Sequence, residues 1–140
     1  MVRYINVKSR QRSEFIDVTE DLQAVVTEVG IKSGICYIFV PHTTAAVTVN
    51  EGADPSVQRD IQNTLSRLVP HELNYTHREG NADAHVKSTL VGTSQIVLVD
   101  EGKLVLGTWQ SVYFCEFDGP RHRRMAVKFL TADKDSAGSK

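Results

Sequence analysis

The stretch GICYIFVPHTTAAV, residues 34–47, predicts the centre of the fold. Residues 34–40 form a continuous apolar run, which is typical of a central strand in a sheet. Pro41 ends this strand because proline cannot donate a backbone N–H to a sheet ladder. A second strand is expected over residues 45–49, so a short polar connection lies between two strands.

The residues before this stretch predict two strands and a helix. Residues 2–8 and 14–18 alternate in hydropathy and are expected to pair with each other, with 9–13 as the turn between them. A helix is expected over residues 19–29, where apolar side chains recur at helical spacing. Gly30 follows it, as glycine commonly does at the end of a helix.

The residues after the stretch predict two more helices and a return to strands. Asp54 and Pro55 begin a helix as a capping carboxylate and a proline at the first helical position, and the apolar stripe ends before Pro70. After a polar, irregular segment, Asn81 is expected to cap a short helix over residues 82–91. The remaining strands are expected over residues 94–99, 103–106, 108–117 and 124–130.

The order of these elements indicates an α+β fold, with a largely antiparallel β-sheet core, two longer helices and one short helix. Residues 1–130 are expected to form a single domain, which is large enough to bury a core without disulfides or a structural metal. The small, polar residues 131–140 are expected to form a disordered tail.

Composition and charge exclude several classes of protein. Hydrophobic residues make up 41% of the 140 residues and charged residues 24%, close to the globular average, which excludes a fibrous or disordered chain. The 16 basic and 17 acidic residues leave a net charge of −1, so we expect no nucleic-acid partner, since such binding needs a dense basic surface. No segment approaches the roughly 20 apolar residues that span a bilayer. The N-terminus lacks the features of a signal peptide, so we expect a cytoplasmic protein without a membrane partner.

His42 is a candidate site residue because it follows a strand end, where side chains project from the sheet edge into a cleft. Imidazole is the commonest side-chain ligand of zinc, and it is the side chain that titrates near neutral pH without perturbation. Thr43 and Thr44 supply hydroxyls that can orient the imidazole or a bound anion. The alternative is a loop histidine that is bonded to nearby backbone.

His77 and His85 lie on either side of a Gly-Asn turn, with His85 on the first turn of the helix that Asn81 is expected to cap. Their spacing of eight residues is not a signature zinc spacing. The helix start offers free backbone N–H groups and the positive end of the dipole, which suits a phosphate beside His85. Asp83 is interpreted as a carboxylate that stabilises this dipole, and His71 as an exposed loop residue.

Glu116 and Arg121 are further candidates. The strand over residues 108–117 is mostly apolar on both faces, so Glu116 is expected near the core, where a carboxylate is costly unless it is paired or binds a metal. The alternative to a catalytic role is a salt bridge from Glu116 or Asp118 to one of three arginines, Arg121, Arg123 or Arg124. The Gly119-Pro120 turn aims Arg121 in a defined direction, and an arginine so placed can clamp a phosphate with two parallel hydrogen bonds.

Four motifs together resemble those of one protein family. They are PHTTAA at residues 41–46, EGNADAH at 79–85, LGTWQ at 106–110 and EFDGPR at 116–121. In this order they closely resemble the YjbQ family, which consists of small uncharacterised proteins, some of them labelled secondary thiamine-phosphate synthase. The resemblance covers roughly residues 3–130.

The resemblance implies an α+β fold, a homotrimer and a site built from the motif residues. By position, the implied site consists of His42, His77 and His85, with Asn81, Glu116 and Arg121 nearby. The label implies a weak activity that joins a thiazole phosphate to a pyrimidine diphosphate, with pyrophosphate as the leaving group.

We therefore expect an enzyme that acts on a phosphorylated small molecule at a histidine-lined site. His42, His77 and His85 are predicted to hold a divalent metal ion, zinc or magnesium, and to act in catalysis together with Glu116. The residues predicted to bind the phosphate are Thr43, Thr44, Asn81 and Arg121. Three alternatives stay open: a metal-assisted phosphate-ester hydrolase, a non-catalytic binder of a phosphorylated metabolite, and a metal-free anion pocket of protonated histidine and arginine.

Overall fold

The fold, taken from a computed structural model that describes residues 1–131, contains eight strands and three helices within that range. The strands of the first half are β1 Arg3–Lys8, β2 Glu14–Asp17, β3 Ser33–Phe39 and β4 Ala45–Glu51. Those of the second half are β5 Ser94–Asp100, β6 Lys103–Leu104, β7 Gln110–Glu116 and β8 His122–Leu130. The helices are α1 Thr19–Val29, α2 Pro55–Leu68 and α3 Ala82–Val91. The predicted α+β class is confirmed.

The strands form two antiparallel sheets rather than one. The larger sheet has the order β1-β8-β3-β5-β6, and the smaller has the order β2-β7-β4. The predicted hairpin of β1 and β2 is wrong, because β1 pairs with β8 and β2 pairs with β7. Residues 9–13 therefore cross from one sheet to the other. Alternating hydropathy marks both strands correctly, but it carries no information about which partner each strand finds.

The main core lies between the two sheets and α1. Phe114 of β7, Met125 of β8 and Leu22 of α1 are fully buried in it. A second cluster on the other face of the smaller sheet contains Tyr113 and Cys115, together with residues of α3. Strand β7 is thus buried on both faces, which confirms the expectation of a central, covered strand.

The predicted helix boundaries that rest on local chemistry are confirmed. Gly30 ends α1 with a φ of 81°, in the left-handed region that glycine adopts without strain, and its N–H donates to the Val26 carbonyl. Asp54 caps α2 by accepting a hydrogen bond from the Ser56 N–H at 3.0 Å, and Pro55 is the first helical residue.

Most strand boundaries differ from the prediction by one or two residues, and two of these differences flank the same turn. The strand expected over residues 103–106 ends at Leu104, and the strand expected from residue 108 begins at Gln110. The residues between them form a turn, in which the Gln110 N–H donates to the Gly107 carbonyl and the Gln110 side chain accepts from the Gly107 N–H at 2.8 Å. This local closure competes with the extended backbone that the sequence pattern favours.

Two further expectations concern the ends of the chain and the membrane. The predicted disordered tail falls almost entirely on residues 132–140, which lie outside the described residues. Within residues 1–131, no helix combines the length and the apolar character needed to cross a membrane.

Candidate functional site

A cleft of about 570 Å³ opens where the end of β3, the start of α3 and the turn after β7 meet. An adjoining cavity of about 410 Å³ lies along α3. The residues that line both spaces are His42, Thr43, His85 and Thr93. The two imidazoles therefore stand at the junction of two connected lobes.

The smaller sheet brings distant parts of the chain to this cleft. Ala45, at the start of β4, pairs with Glu116, at the end of β7. The Phe117 N–H then donates to the Thr44 carbonyl at 3.2 Å. The connection before β4 and the turn after β7 consequently lie side by side, although some 70 residues separate them.

The His42 imidazole contacts the backbone of the larger sheet at Arg124. The register in which Phe39 faces Ala126 would place Pro41 opposite Arg124, and proline has no N–H to donate. The ring Nε2 of His42 instead lies 3.1 Å from both the N and the O of Arg124. Burial and the positive charge of Arg123 lower the pKa of His42, which favours the neutral ring. One edge of this ring is therefore bonded to backbone, as in the alternative of a loop histidine.

The other two histidines contact each other. The rings of His77 and His85 lie edge to face, with centroids 5.2 Å apart. His77 Nε2 is 3.2 Å from a carboxylate oxygen of Glu79. His85 and Glu79 line the cleft, and His77 lies beside His85 without being among the lining residues. The structure thus brings His42 and His85 to one cleft and adds His77 as a neighbour of His85.

Glu116 lies behind the cleft wall and is fully buried. The Arg123 guanidinium donates to both of its carboxylate oxygens, with an Nε to Oε1 distance of 2.8 Å, and the Ser9 hydroxyl donates to Oε1 at 2.7 Å. Burial raises the pKa of Glu116, but hydrogen bonds from Arg123 and Ser9 outweigh this, so the pKa lies below its ordinary value. The salt-bridge alternative is present, and it occupies the carboxylate that was predicted to act in catalysis.

Arg123 lines the cleft and also engages one of the two threonines. Its Nη2 donates to the Thr44 hydroxyl at 2.8 Å, and Thr44 is buried. Thr43 is exposed and lines both lobes. Of the two predicted phosphate-binding hydroxyls, the one on Thr43 therefore faces the open space.

Asp118 holds both Arg121 and Asn81 at the cleft. Arg121 donates from Nε to the Asp118 carbonyl at 2.8 Å and from Nη2 to the Asp118 carboxylate at 2.9 Å. The Asn81 amide donates to the same carboxylate oxygen at 2.9 Å. Burial raises the pKa of Asp118, but hydrogen bonds from Asn81 and Arg121 outweigh it and the pKa falls below its ordinary value. Arg121 and Asn81 both line the cleft.

The prediction that Asn81 caps α3 is correct in position but wrong in chemistry. Asn81 stands at the N-cap, yet its side chain makes no capping hydrogen bond because Asp118 holds the amide. Its Oδ1 is buried and has no partner among the described residues. The first turn of α3 therefore lacks the side-chain acceptor that usually satisfies its N–H groups.

Asp83 and Arg12 were missed by the sequence reasoning. Asp83 was expected only to stabilise the helix dipole; it is also fully buried and accepts two hydrogen bonds from Arg12, at 3.1 and 3.2 Å. His71 Nδ1 lies 3.2 Å from the same carboxylate, and its exposure confirms the other interpretation. Burial raises the pKa of Asp83, but Arg12 and His71 outweigh it and the pKa lies below its ordinary value. No local pattern signals this cluster, because its members come from three separate segments.

The histidines were also predicted to form a metal centre. Within residues 1–131, no three His, Cys, Asp or Glu side chains are arranged closely enough to hold a metal ion. His42 Nε2 is engaged with Arg124, and His77 Nε2 is engaged with Glu79. This placement lends no support to the three-histidine metal centre, which stays a prediction.

The sequence of this chain is similar to proteins of one family. The family described as UPF0047 protein YjbQ-like matches residues 3–132. A UPF0047 protein of Methanocaldococcus jannaschii is 52% identical over 124 residues, which cover 89% of this chain and 90% of that protein. The UPF0047 protein YugU of Bacillus subtilis is 48% identical over 132 residues, covering 93% of this chain and 99% of that protein.

Solved structures show the same relationship. A protein of the YjbQ/UPF0047 family from Clostridium acetobutylicum has a TM-score of 0.89 and 45% identity, covering 91% of this chain and 99% of that one. A YbjQ-like protein of unknown function from Sulfolobus solfataricus has a TM-score of 0.89 and 36% identity, covering 94% and 97% of the two chains. At these identities, the likeness covers the family as well as the fold.

Proposed function

The chain belongs to the YjbQ-like UPF0047 family, and on that premise we propose that it binds a phosphorylated small molecule in the cleft and acts on it as a transferase. The proposed reaction is the weak thiamine-phosphate synthase activity implied by the resemblance, in which a thiazole phosphate is joined to a pyrimidine diphosphate and pyrophosphate leaves. One observation carries the proposal: His42 and His85 stand where two lobes meet, beside the guanidinium of Arg121. The reaction joins two substrates, so each needs its own binding space, and the two spaces must adjoin where the new bond forms.

The anionic part of the ligand is assigned to the lobe that contains Arg121. Asp118 occupies Nε and Nη2 of this side chain, so the opposite edge of the guanidinium is left for an anion. The first turn of α3 adds the positive end of a helix dipole without a side-chain cap. Thr43 supplies an exposed hydroxyl at the same lobe. Donors placed in this way offset the charge that develops on a leaving pyrophosphate.

The predicted catalytic residues, His42, His77, His85 and Glu116, take different roles within this proposal. The neutral ring of His42 and the ring of His85 are the groups next to the reactants. Glu116 acts indirectly, because its carboxylate is hydrogen-bonded to Arg123 and Ser9 and lies behind the cleft wall. His77 supports His85 through the contact between their rings. We derive no step through a metal ion, which stays a prediction.

The test supplies both substrates to the purified protein and measures thiamine phosphate and pyrophosphate. Arg121→Gln and His85→Ala are each expected to lower the rate about 100-fold, the usual cost of removing one group that stabilises transition-state charge. His122→Ala is the matched control, because His122 is an exposed neighbour that does not line either lobe. Product formation that is equal in all four proteins would reject the site.

A non-catalytic binder is the second candidate, and the burial of Glu116 favours it. With that carboxylate fully occupied, Glu79 and Asp118 are the acidic groups that line the cleft, and Asp118 is itself paired with Arg121. A binder predicts that either substrate raises the melting temperature while no product forms over long incubation. Hydrolysis of a single phosphate ester after addition of zinc or magnesium would instead support the metal-assisted hydrolase.

The homotrimer implied by the resemblance is part of the proposal. The outer face of the larger sheet carries a row of exposed apolar side chains, among them Tyr37, Phe39, Ile96, Leu98 and Leu130. Tyr37 faces Ile96 across β3 and β5, so these side chains form a continuous patch of the kind that self-association covers. Light scattering at micromolar concentration should give three times the mass of one chain, and Leu98→Glu should lower it. A wild-type monomer would contradict the trimer.

A further inference from the structure

Ser9 lies behind the cleft and contacts the backbone of Arg121 at two points. The Ser9 N–H donates to the Arg121 carbonyl at 3.0 Å, and the Arg121 N–H donates to the Ser9 hydroxyl at 2.8 Å. The hydroxyl proton is directed to Glu116, because Oε1 is nearer than the Arg121 carbonyl, at 2.7 Å against 3.2 Å. Ser9 therefore joins Arg121 to the buried pair of Glu116 and Arg123.

The turn before Arg121 is shaped to admit Ser9. A Cβ added to Gly119 would lie 2.7 Å from the Ser9 hydroxyl and 2.3 Å from the Gln11 carbonyl, both shorter than any real contact of that kind. The Gly119 N–H also donates to the Arg12 carbonyl at 2.9 Å. The close approach of residues 9–13 to this turn thus requires glycine at position 119.

The bonds to Arg121 are divided between its backbone and its side chain. Ser9 holds the backbone N–H and carbonyl, whereas Asp118 holds Nε and Nη2 of the guanidinium. Although the side chain is half exposed, its direction is set at both ends. An arginine that is already ordered loses less conformational freedom when it binds an anion.

We infer that Ser9 is a positioning residue, which fixes the backbone of Arg121 and thereby directs its guanidinium into the cleft for an anionic ligand. The inference rests on the proposed function for its ligand, but the contact itself does not depend on that ligand. Ser9 does not line the cleft, so it acts through the residues that it contacts, Arg121 and Glu116.

The experiment compares pyrophosphate binding by the wild type, Ser9→Ala and Thr19→Ala, followed by NMR of the Arg121 Nε–H group. Thr19 is the matched control, because its hydroxyl also accepts a backbone N–H, from Val112 at 2.8 Å, at the far end of β7. Ser9→Ala should weaken pyrophosphate binding about tenfold, since an arginine freed from its backbone contacts must be ordered again on binding. It should also lower the order parameter of the Arg121 Nε–H in the free protein. Thr19→Ala should change neither quantity.

The outcomes separate this inference from the proposed function. If Ser9→Ala binds pyrophosphate like the wild type and its Arg121 Nε–H stays equally ordered, the role of Ser9 is overturned and the proposed function stands. If the wild type binds no pyrophosphate, the proposed function fails. The role of Ser9 is then decided by comparing the order parameter of the Arg121 Nε–H group in the free wild type and in free Ser9→Ala. Should Ser9→Ala not fold, Ser9→Cys keeps the side-chain size with a much weaker hydrogen-bonding group and is measured in the same way.

Discussion

The two sides of the cleft differ in how they are held. On the sheet side, the turn after β7 is fixed by the buried Glu116–Arg123 pair and by Ser9. On the other side, residues 70–81 carry His77 and Glu79 and are mostly exposed. The sheet side is therefore held rigidly by buried hydrogen bonds, whereas the side formed by residues 70–81 is held by few contacts.

The contacts of the second side are sparse. Its described side-chain bonds beyond the segment run from His71 to Asp83 and from Asn81 to Asp118. The Tyr75 hydroxyl bonds within the segment, to the Pro70 carbonyl. Segments with many exposed backbone groups and few buried contacts open at low free-energy cost. This difference indicates that Arg121, to which we assign the anion, is held in place before any ligand binds, whereas residues 70–81 can adjust to a ligand.

The largest effect is expected from Glu116→Gln, which removes the charge that pairs with buried Arg123. It should lower the free energy of unfolding by about 3–5 kcal/mol, because a buried guanidinium is left without its counter-ion. Urea denaturation at neutral pH measures this.

The control for that variant is Glu28→Gln, which breaks the same type of pair at the surface. Arg3 and Glu28 have side chains that are 35% and 67% exposed, against 6% and 0% for Arg123 and Glu116. The exposed pair should contribute less than about 1 kcal/mol. Equal losses in the two variants would contradict the claim that the sheet side is held by a buried pair.

Acidification should lower the free energy of unfolding of the wild type through carboxylates on both sides. The pKa of Glu116 is below its ordinary value of 4.5 in the folded chain, and the pKa values of Asp83 and Asp118 are lowered too. Their stabilisation is complete above the pKa of the unfolded chain and is lost as the pH falls through the folded pKa. Urea midpoints measured from pH 7 to pH 3 should therefore decline below about pH 4.5. A midpoint that stays constant to pH 3 would show that these carboxylates are not stabilised by folding.

The sequence predicted those features of the fold and of the cleft that depend on local chemistry. The strand end at Pro41 and the helix start at Asp54 are fixed by neighbouring residues, and the structure has both. His42, His85 and Arg121 were singled out from their local settings, and all three line the cleft, while their role in a site stays a prediction.

The remainder depends on pairs that are distant in sequence. Arg12 and Asp83 lie 71 residues apart, and Ser9 and Arg121 lie 112 apart. The partners of β1 and β2 were missed for the same reason, since pairing is decided by a strand near the other end of the chain. The alternation of apolar residues shows which face is buried, but not against which strand.

An intermediate effect is expected from Asp83→Asn on the second side. The loss should be about 2 kcal/mol, since charge-assisted hydrogen bonds are removed but Arg12 can turn to solvent. Hydrogen exchange should also accelerate across residues 70–81, because His71 loses its partner. Asp60→Asn, at an exposed position of α2, serves as the control and should change neither quantity. Unchanged exchange in Asp83→Asn would mean that other contacts hold the segment.

The smallest effect is expected from His71→Ala. Its side chain is 54% exposed, so the stability should fall by less than about 1 kcal/mol. Faster hydrogen exchange should nevertheless appear, confined to residues 70–81. His122→Ala removes another exposed histidine and should leave the exchange of this segment as it is. Acceleration spread over β7 and β8 as well would show that the two sides are not independently held.

The most direct measurement of the central claim is a crystal structure of the protein grown with pyrophosphate. The account predicts an anion within hydrogen-bond distance of the Arg121 guanidinium, at the first turn of α3 and beside the ring of His85. The sheet side should keep its bonds, and any shift should fall on residues 70–81. An empty cleft at saturating pyrophosphate, or an anion bound only to exposed lysines elsewhere, would contradict it.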